Sequence, residues 1–127
     1  MFWQSMRFIL VGIVNTFVGL SCIYGIMYAY DADPGVANLL GYAVGIIVSF
    51  TLNKIWTFNN NKPINEVLPK YVFVATTSYL MNLGVVVFAT SYLAVNPYLG
   101  QLLGVAPYTI CMFLGCRWFV FAPRRIV

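Results

Sequence analysis

Histidine is missing from this sequence and charge nearly so: seven Lys or Arg and three Asp or Glu stand among 127 residues. Without an imidazole there is no base for a Ser–His–Asp triad, and no Cys/His metal spacing can be assembled. The three cysteines, Cys22, Cys111 and Cys116, fall inside long apolar runs and read as small packing residues. No Asp or Glu falls within such a run: Glu66 stands in the polar stretch Asn59–Lys70, and Asp31 and Asp33 in a short connection. Proton-coupled export of cationic drugs, which needs an intramembrane carboxylate, is therefore disfavoured. An ion channel is disfavoured too, because there is no filter-like loop and no mid-depth ring of charge. No water-facing surface interleaves basic and aromatic residues, so the net charge of +4 gives no support to nucleic-acid binding. No catalytic residue, metal or cofactor is expected, and the chain is not expected to be an enzyme.

What is present is apolar. Sixty-one per cent of the residues are hydrophobic and the mean hydropathy is +0.84, far from the balance of a soluble domain. A helix needs roughly 20 apolar residues to cross a hydrocarbon core about 30 Å thick. Four runs qualify, at about Phe8–Tyr30, Pro34–Asn53, Tyr71–Val95 and Pro97–Cys116. The expected fold is an all-α membrane protein with four transmembrane helices, a single transmembrane domain over residues 1–127. The first run is expected to be a true span and no signal peptide, since it is too long for an h-region and lacks a cleavage site.

Lys and Arg bias orients such spans. Arg7, Lys54, Lys62, Lys70, Arg117, Arg124 and Arg125 all fall at span ends that would share one side, and the opposite connections hold acids and no cation. Both termini are therefore expected in the cytoplasm.

A shift of 63 residues lays the second half on the first without a gap. Pro34 meets Pro97, Leu39-Leu40-Gly41 meets Leu102-Leu103-Gly104, and Ala43, Ile47, Phe50 and Phe58 meet Ala106, Ile110, Phe113 and Phe121. Lys54 falls on Arg117 and Arg7 on Lys70. Each half holds two spans, so both enter from the same side. The arrangement expected is two parallel-repeat helical hairpins about a pseudo-two-fold axis along the membrane normal.

At the ends of the second and fourth spans stand Trp56, Phe58, Trp118 and Phe121, at the level where aromatics anchor helices among headgroups. Four cations from four helices, Arg7, Lys54, Lys70 and Arg117, are expected at that depth. They either serve as topology signals that snorkel to the interface or form a positive ring that binds a phosphate. Within the spans, Asn15, Asn38, Ser49, Asn53, Asn82 and Gln101 are costly against lipid, so they are expected to face the bundle or another protomer. Two roles stay open for them, as helix-interface glue or as partners of a sugar's hydroxyls. Glycines at the same spacing allow close helix approach, and Pro107 is expected to kink the fourth span.

The stretches "RFILVGIVNT" (Arg7–Thr16) and "NLLGYAVGIIVSFTLNKIWTF" (Asn38–Phe58) resemble the GtrA-like family of small four-span membrane proteins. The likeness covers essentially the whole chain and is most specific through Asn38, Gly41, Tyr42, Ser49, Phe50, Asn53, Lys54, Trp56, Thr57 and Phe58. The second half departs from it, with Gly115 and Cys116 where the first has Leu52 and Asn53. The resemblance implies a bacterial cytoplasmic-membrane protein that flips a polyprenyl-phosphate-linked monosaccharide, such as undecaprenyl-phosphate glucose, for cell-surface polysaccharide modification. It implies a membrane glycosyltransferase as partner. Similar domains fused to polyprenol-phosphate sugar synthases imply the alternative of an anchor or scaffold that moves nothing. Four helices are few to enclose such a path, so a parallel homodimer is expected.

Overall fold

The computed structural model describes residues 1–123; Arg124 and Arg125, counted above among the cations, lie outside the described residues. All regular elements described are helical. Helix α1 is Phe2–Tyr30 and α2 is Pro34–Leu52, followed by a π turn at Asn53–Thr57. Helix α3 is Ile64–Val87 with a π turn at Phe88–Tyr92, and α4 is Pro97–Gly115 with a π turn at Cys116–Val120. Four segments are long and apolar enough to cross a membrane: Phe2–Tyr30, Val36–Thr57, Ile64–Tyr92 and Leu99–Val120. This is a multi-pass, all-helical membrane protein.

The helices overrun the apolar runs that announce them. Helix α1 starts at Phe2 and α3 at Ile64, each ahead of the hydrocarbon boundary read from the sequence. Hydropathy marks where lipid begins, whereas a helix continues until its backbone meets a stop. Glu66 therefore stands in the first turn of α3 and not in a loop, paired with Lys62 at 3.7 Å. Its negative charge suits a helix N-terminus. Pro107 lies inside α4, which runs unbroken from Pro97 to Gly115.

The chain divides into two compact units, Met1–Asn61 and Lys62–Val127. In unit 1, α1 and α2 form a hairpin around a short connection. Asp31 ends α1 in the left-handed region (φ 48°), and the Asp33 carboxylate accepts the Val36 N–H at 3.4 Å to cap α2. Close packing of the hairpin centres on Gly41. A side chain there would strike Ile23 and come within 3.2 Å of the Gly19 carbonyl. At the open end, Phe8 is buried against Phe58, with centroids 6.4 Å apart.

Unit 2 makes the same contacts 63 residues on. Ala94 takes the left-handed conformation (φ 52°) where unit 1 has Asp31. Gly104, the counterpart of Gly41, faces Asn82 and Val86, the counterparts of Gly19 and Ile23. Tyr71 packs on Phe121 at 6.3 Å, as Phe8 does on Phe58. The π turns at Asn53–Thr57 and Cys116–Val120 are also one register apart, closed by bonds from Phe58 N–H to the Asn53 carbonyl and from Phe121 N–H to the Cys116 carbonyl. The hairpins thus repeat in their packing as well as in their letters. Among the described residues, unit 2 alone carries a further π turn, Phe88–Tyr92, at the end of its first helix.

Four hydroxyls inside the spans are satisfied locally. Thr16, Thr77, Ser78 and Thr90 each donate to the carbonyl four residues earlier, at 2.8–2.9 Å. That geometry keeps a polar group tolerable beside lipid.

Candidate functional site

The open end of unit 1 gathers its cations. Arg7, near the start of α1, reaches across to the π turn that closes α2. Its guanidinium lies 5.5 Å from the centre of the Trp56 ring and donates to the Trp56 carbonyl at 3.1 Å. Helix ends leave carbonyls without intrahelical partners, and a cation is the fitting donor there. Lys54, inside the turn, curls back and donates to the Asn60 carbonyl at 2.7 Å. Asn59 adopts φ 46° to make that return, and the Asn60 N–H closes on the Lys54 carbonyl at 2.8 Å.

Unit 2 repeats the first of these arrangements. The Lys70 ammonium stands 5.7 Å from the centre of the Phe119 ring, and Lys70 and Phe119 are the 63-residue counterparts of Arg7 and Trp56. Arg117, the counterpart of Lys54, lies half-buried in the π turn. Each unit therefore ends in a cation from its first helix set against an aromatic from its second. Sequence reading overlooked Phe119, although the register of Trp56 points to it.

The aromatics divide in two. Trp56 and Trp118 are exposed, at 42% and 64%. Phe58 and Phe121 turn inward instead, onto Phe8 and Tyr71, and Phe121 is only 5% exposed. The i→i+5 turn adds a residue to the helical step, so the side chain after it is brought round to the packed face.

Polar side chains in the spans also divide. Asn53 and Thr57 are buried in the π turn that carries Lys54, on a stripe with Ser49, whose hydroxyl accepts from the Asn53 amide at 3.3 Å. The side-chain amide oxygen of Asn53 (Oδ1) and the Thr57 hydroxyl are enclosed without a hydrogen-bond partner. The side-chain amide oxygen of Asn15 is likewise enclosed without one; the Asn15 side chain lies over Gly45, where a Cβ would come within 3.3 Å of that oxygen. An unmet buried polar group costs about 1–3 kcal/mol, so these three are the strained polar atoms of unit 1. Their counterparts in unit 2 avoid that cost: Ser78 bonds to the Val74 carbonyl, and Cys116 and Val120 have little or nothing to satisfy. Thr57 completes the four-residue spacing Ser49–Asn53–Thr57, which is legible in the sequence but was overshadowed by its aromatic neighbours.

Asn82 is half-buried over Gly104. Asn38 and Gln101, at one register position, lie on exposed faces instead. Both stand on the fifth residue of their helices, within reach of interfacial water, which relaxes the demand for an inward partner. Asn38 lines a shallow groove of about 520 Å³ with Tyr42 and Ile46.

The profile described as GtrA/DPMS, transmembrane domain, matches residues 7–121. The chain belongs to this family. The match runs from Arg7 to Phe121, so the whole cation and aromatic constellation lies inside the GtrA/DPMS domain. No curated protein and no solved structure matches the chain. Membership places this GtrA/DPMS protein in the setting of polyprenyl-phosphate sugars at a membrane.

Proposed function

We propose that the protein moves a polyprenyl-phosphate-linked monosaccharide, such as undecaprenyl-phosphate glucose, from the cytoplasmic to the outer leaflet of a bacterial inner membrane. The carrying observation is the cation set over an aromatic at the open end of each hairpin: Arg7 on Trp56, Lys70 on Phe119. A cation–π contact at an exposed site contributes about 0.5–1 kcal/mol, whereas hydrogen bonds to a charged group contribute about 1.5–3 kcal/mol. A phosphate can therefore draw these cations off their rings. Arg7, Lys54, Lys70 and Arg117 are the phosphate ligands in this reading. Asn15, Asn53 and Ser49 meet the sugar along the polar stripe of unit 1, with Asn38, Asn82 and Gln101 as further candidates. The protein supplies binding and passage, with no chemistry of its own.

The same reading sets the cationic ends in the cytoplasm, relates the hairpins as a parallel repeat and pairs two copies as a parallel homodimer. A membrane glycosyltransferase makes the lipid on the inner face. Purified protein in vesicles with a labelled polyprenyl-phosphate sugar is the test, read by access of an external probe. Flipping at least tenfold faster than in protein-free vesicles is expected. A rate equal to the protein-free control, with a stable glycosyltransferase complex, establishes the scaffold role instead. That second reading is favoured by the family description itself, which joins GtrA to DPMS.

A further inference from the structure

Unit 2 carries a groove along α4. It has a volume of about 610 Å³ and runs along α4 from Pro107 past Ile110, Cys111 and Leu114 to Trp118 and Phe119. Gly115 lies on its wall, and the absence of a side chain there lets Val74 of α3 pack close against α4. In unit 1 the same positions hold Val44 and Leu52 in place of Pro107 and Gly115. The twelve helical steps from Pro107 to Phe119 rise about 18 Å, more than half the hydrocarbon thickness of about 30 Å. Phe119 closes the groove at its end, and the Lys70 ammonium stands 5.7 Å from that ring. Among the described residues no carboxylate pairs with Lys70.

We propose that this groove seats the single apolar chain of a prenyl phosphate, with the phosphate held at Lys70; the identity of the lipid rests on the reading above. An apolar furrow ending in one cation matches a lipid whose phosphate is attached directly to one chain. A bulk phospholipid fits it less well, since its two chains join a glycerol that separates them from the phosphate. The seat would hold the chain alongside α4 while the head travels, so that only the polar part crosses the core. Charge complementarity fixes the direction in which the lipid lies: phosphate at Phe119, chain toward Pro107.

The test uses the full chain in phosphatidylethanolamine–phosphatidylglycerol nanodiscs and a prenyl phosphate carrying a diazirine in its chain. Photolabelling is expected between residues 107 and 119. Excess unlabelled prenyl phosphate should lower it at least fivefold, and the same amount of phosphatidic acid should leave it within twofold. Filling the groove by Cys111→Trp should cut labelling at least fivefold, and Lys70→Gln at least threefold. Ile110→Trp, at a 58% exposed position, serves if Cys111→Trp does not insert. Equal competition by phosphatidic acid, or full labelling in the filled variants, overturns the seat. Prenyl-specific labelling confined to other residues overturns the seat and leaves the lipid reading standing. Absence of prenyl-specific labelling anywhere on the chain removes both.

Discussion

Arg7 and Trp56 meet across the open end of unit 1, guanidinium over indole and N–H to carbonyl. The contact ties the first turns of α1 to the last turn after α2, and it leaves most of the five guanidinium donors for another acceptor. A residue that both closes a hairpin and presents unused donors is suited to sensing a phosphate at the interface.

Neutralising that end should separate binding from folding. Arg7→Gln and Lys54→Gln are each expected to weaken prenyl-phosphate binding at least fivefold, measured by titration in nanodiscs. Lys54→Gln should also cost about 1 kcal/mol of stability, because the Lys54 bond to the Asn60 carbonyl is lost. Lys54→Arg should keep most of both. Unchanged affinity in the two neutral variants would reduce these cations to topology signals.

Asn53 offers a sharper division, because its side-chain amide oxygen is buried without a partner. Asn53→Leu removes the unmet group and should leave stability within about 1.5 kcal/mol of the parent. If the amide serves the sugar, that variant folds, binds prenyl phosphate, and yet flips the glycosylated lipid at least tenfold more slowly. Parent-like flipping by folded Asn53→Leu removes Asn53 from the path.

The glycines make a prediction of contrast. Gly41→Ala and Gly115→Ala place a Cβ against Ile23 and Val74 and should each destabilise by about 1–3 kcal/mol. Gly25 and Gly84 have nothing within 4 Å of the added atom, so their Ala variants should stay within about 0.5 kcal/mol. Reversible unfolding in mixed micelles reads all four. Equal effects at all four sites would contradict the packing described.

Orientation is open to labelling in intact cells. Single cysteines replacing Asp33 and Asn96 are expected to react with an impermeant maleimide, while those replacing Asn60 and Pro123 react only after lysis. Reaction at Asn60 in unbroken cells would invert the assignment.

Read alone, the amino-acid order already determines four spans, a segregated set of cations and a 63-residue register, because each is a linear property: apolar run length, charge position and self-similarity. It also places Asn53 and Ser49 on one helical face. Phe58 and Phe121 pointing inward could not be read that way, since the reversal depends on π turns that no local spacing announces. Neither could the Lys54 ammonium folding onto Asn60, nor Lys70 finding Phe119, which lies 49 residues away and meets it only when α3 and α4 pack. The groove is likewise a tertiary product. Gly115 is an ordinary letter until α3 lies against α4, and only then does its missing side chain make room for Val74.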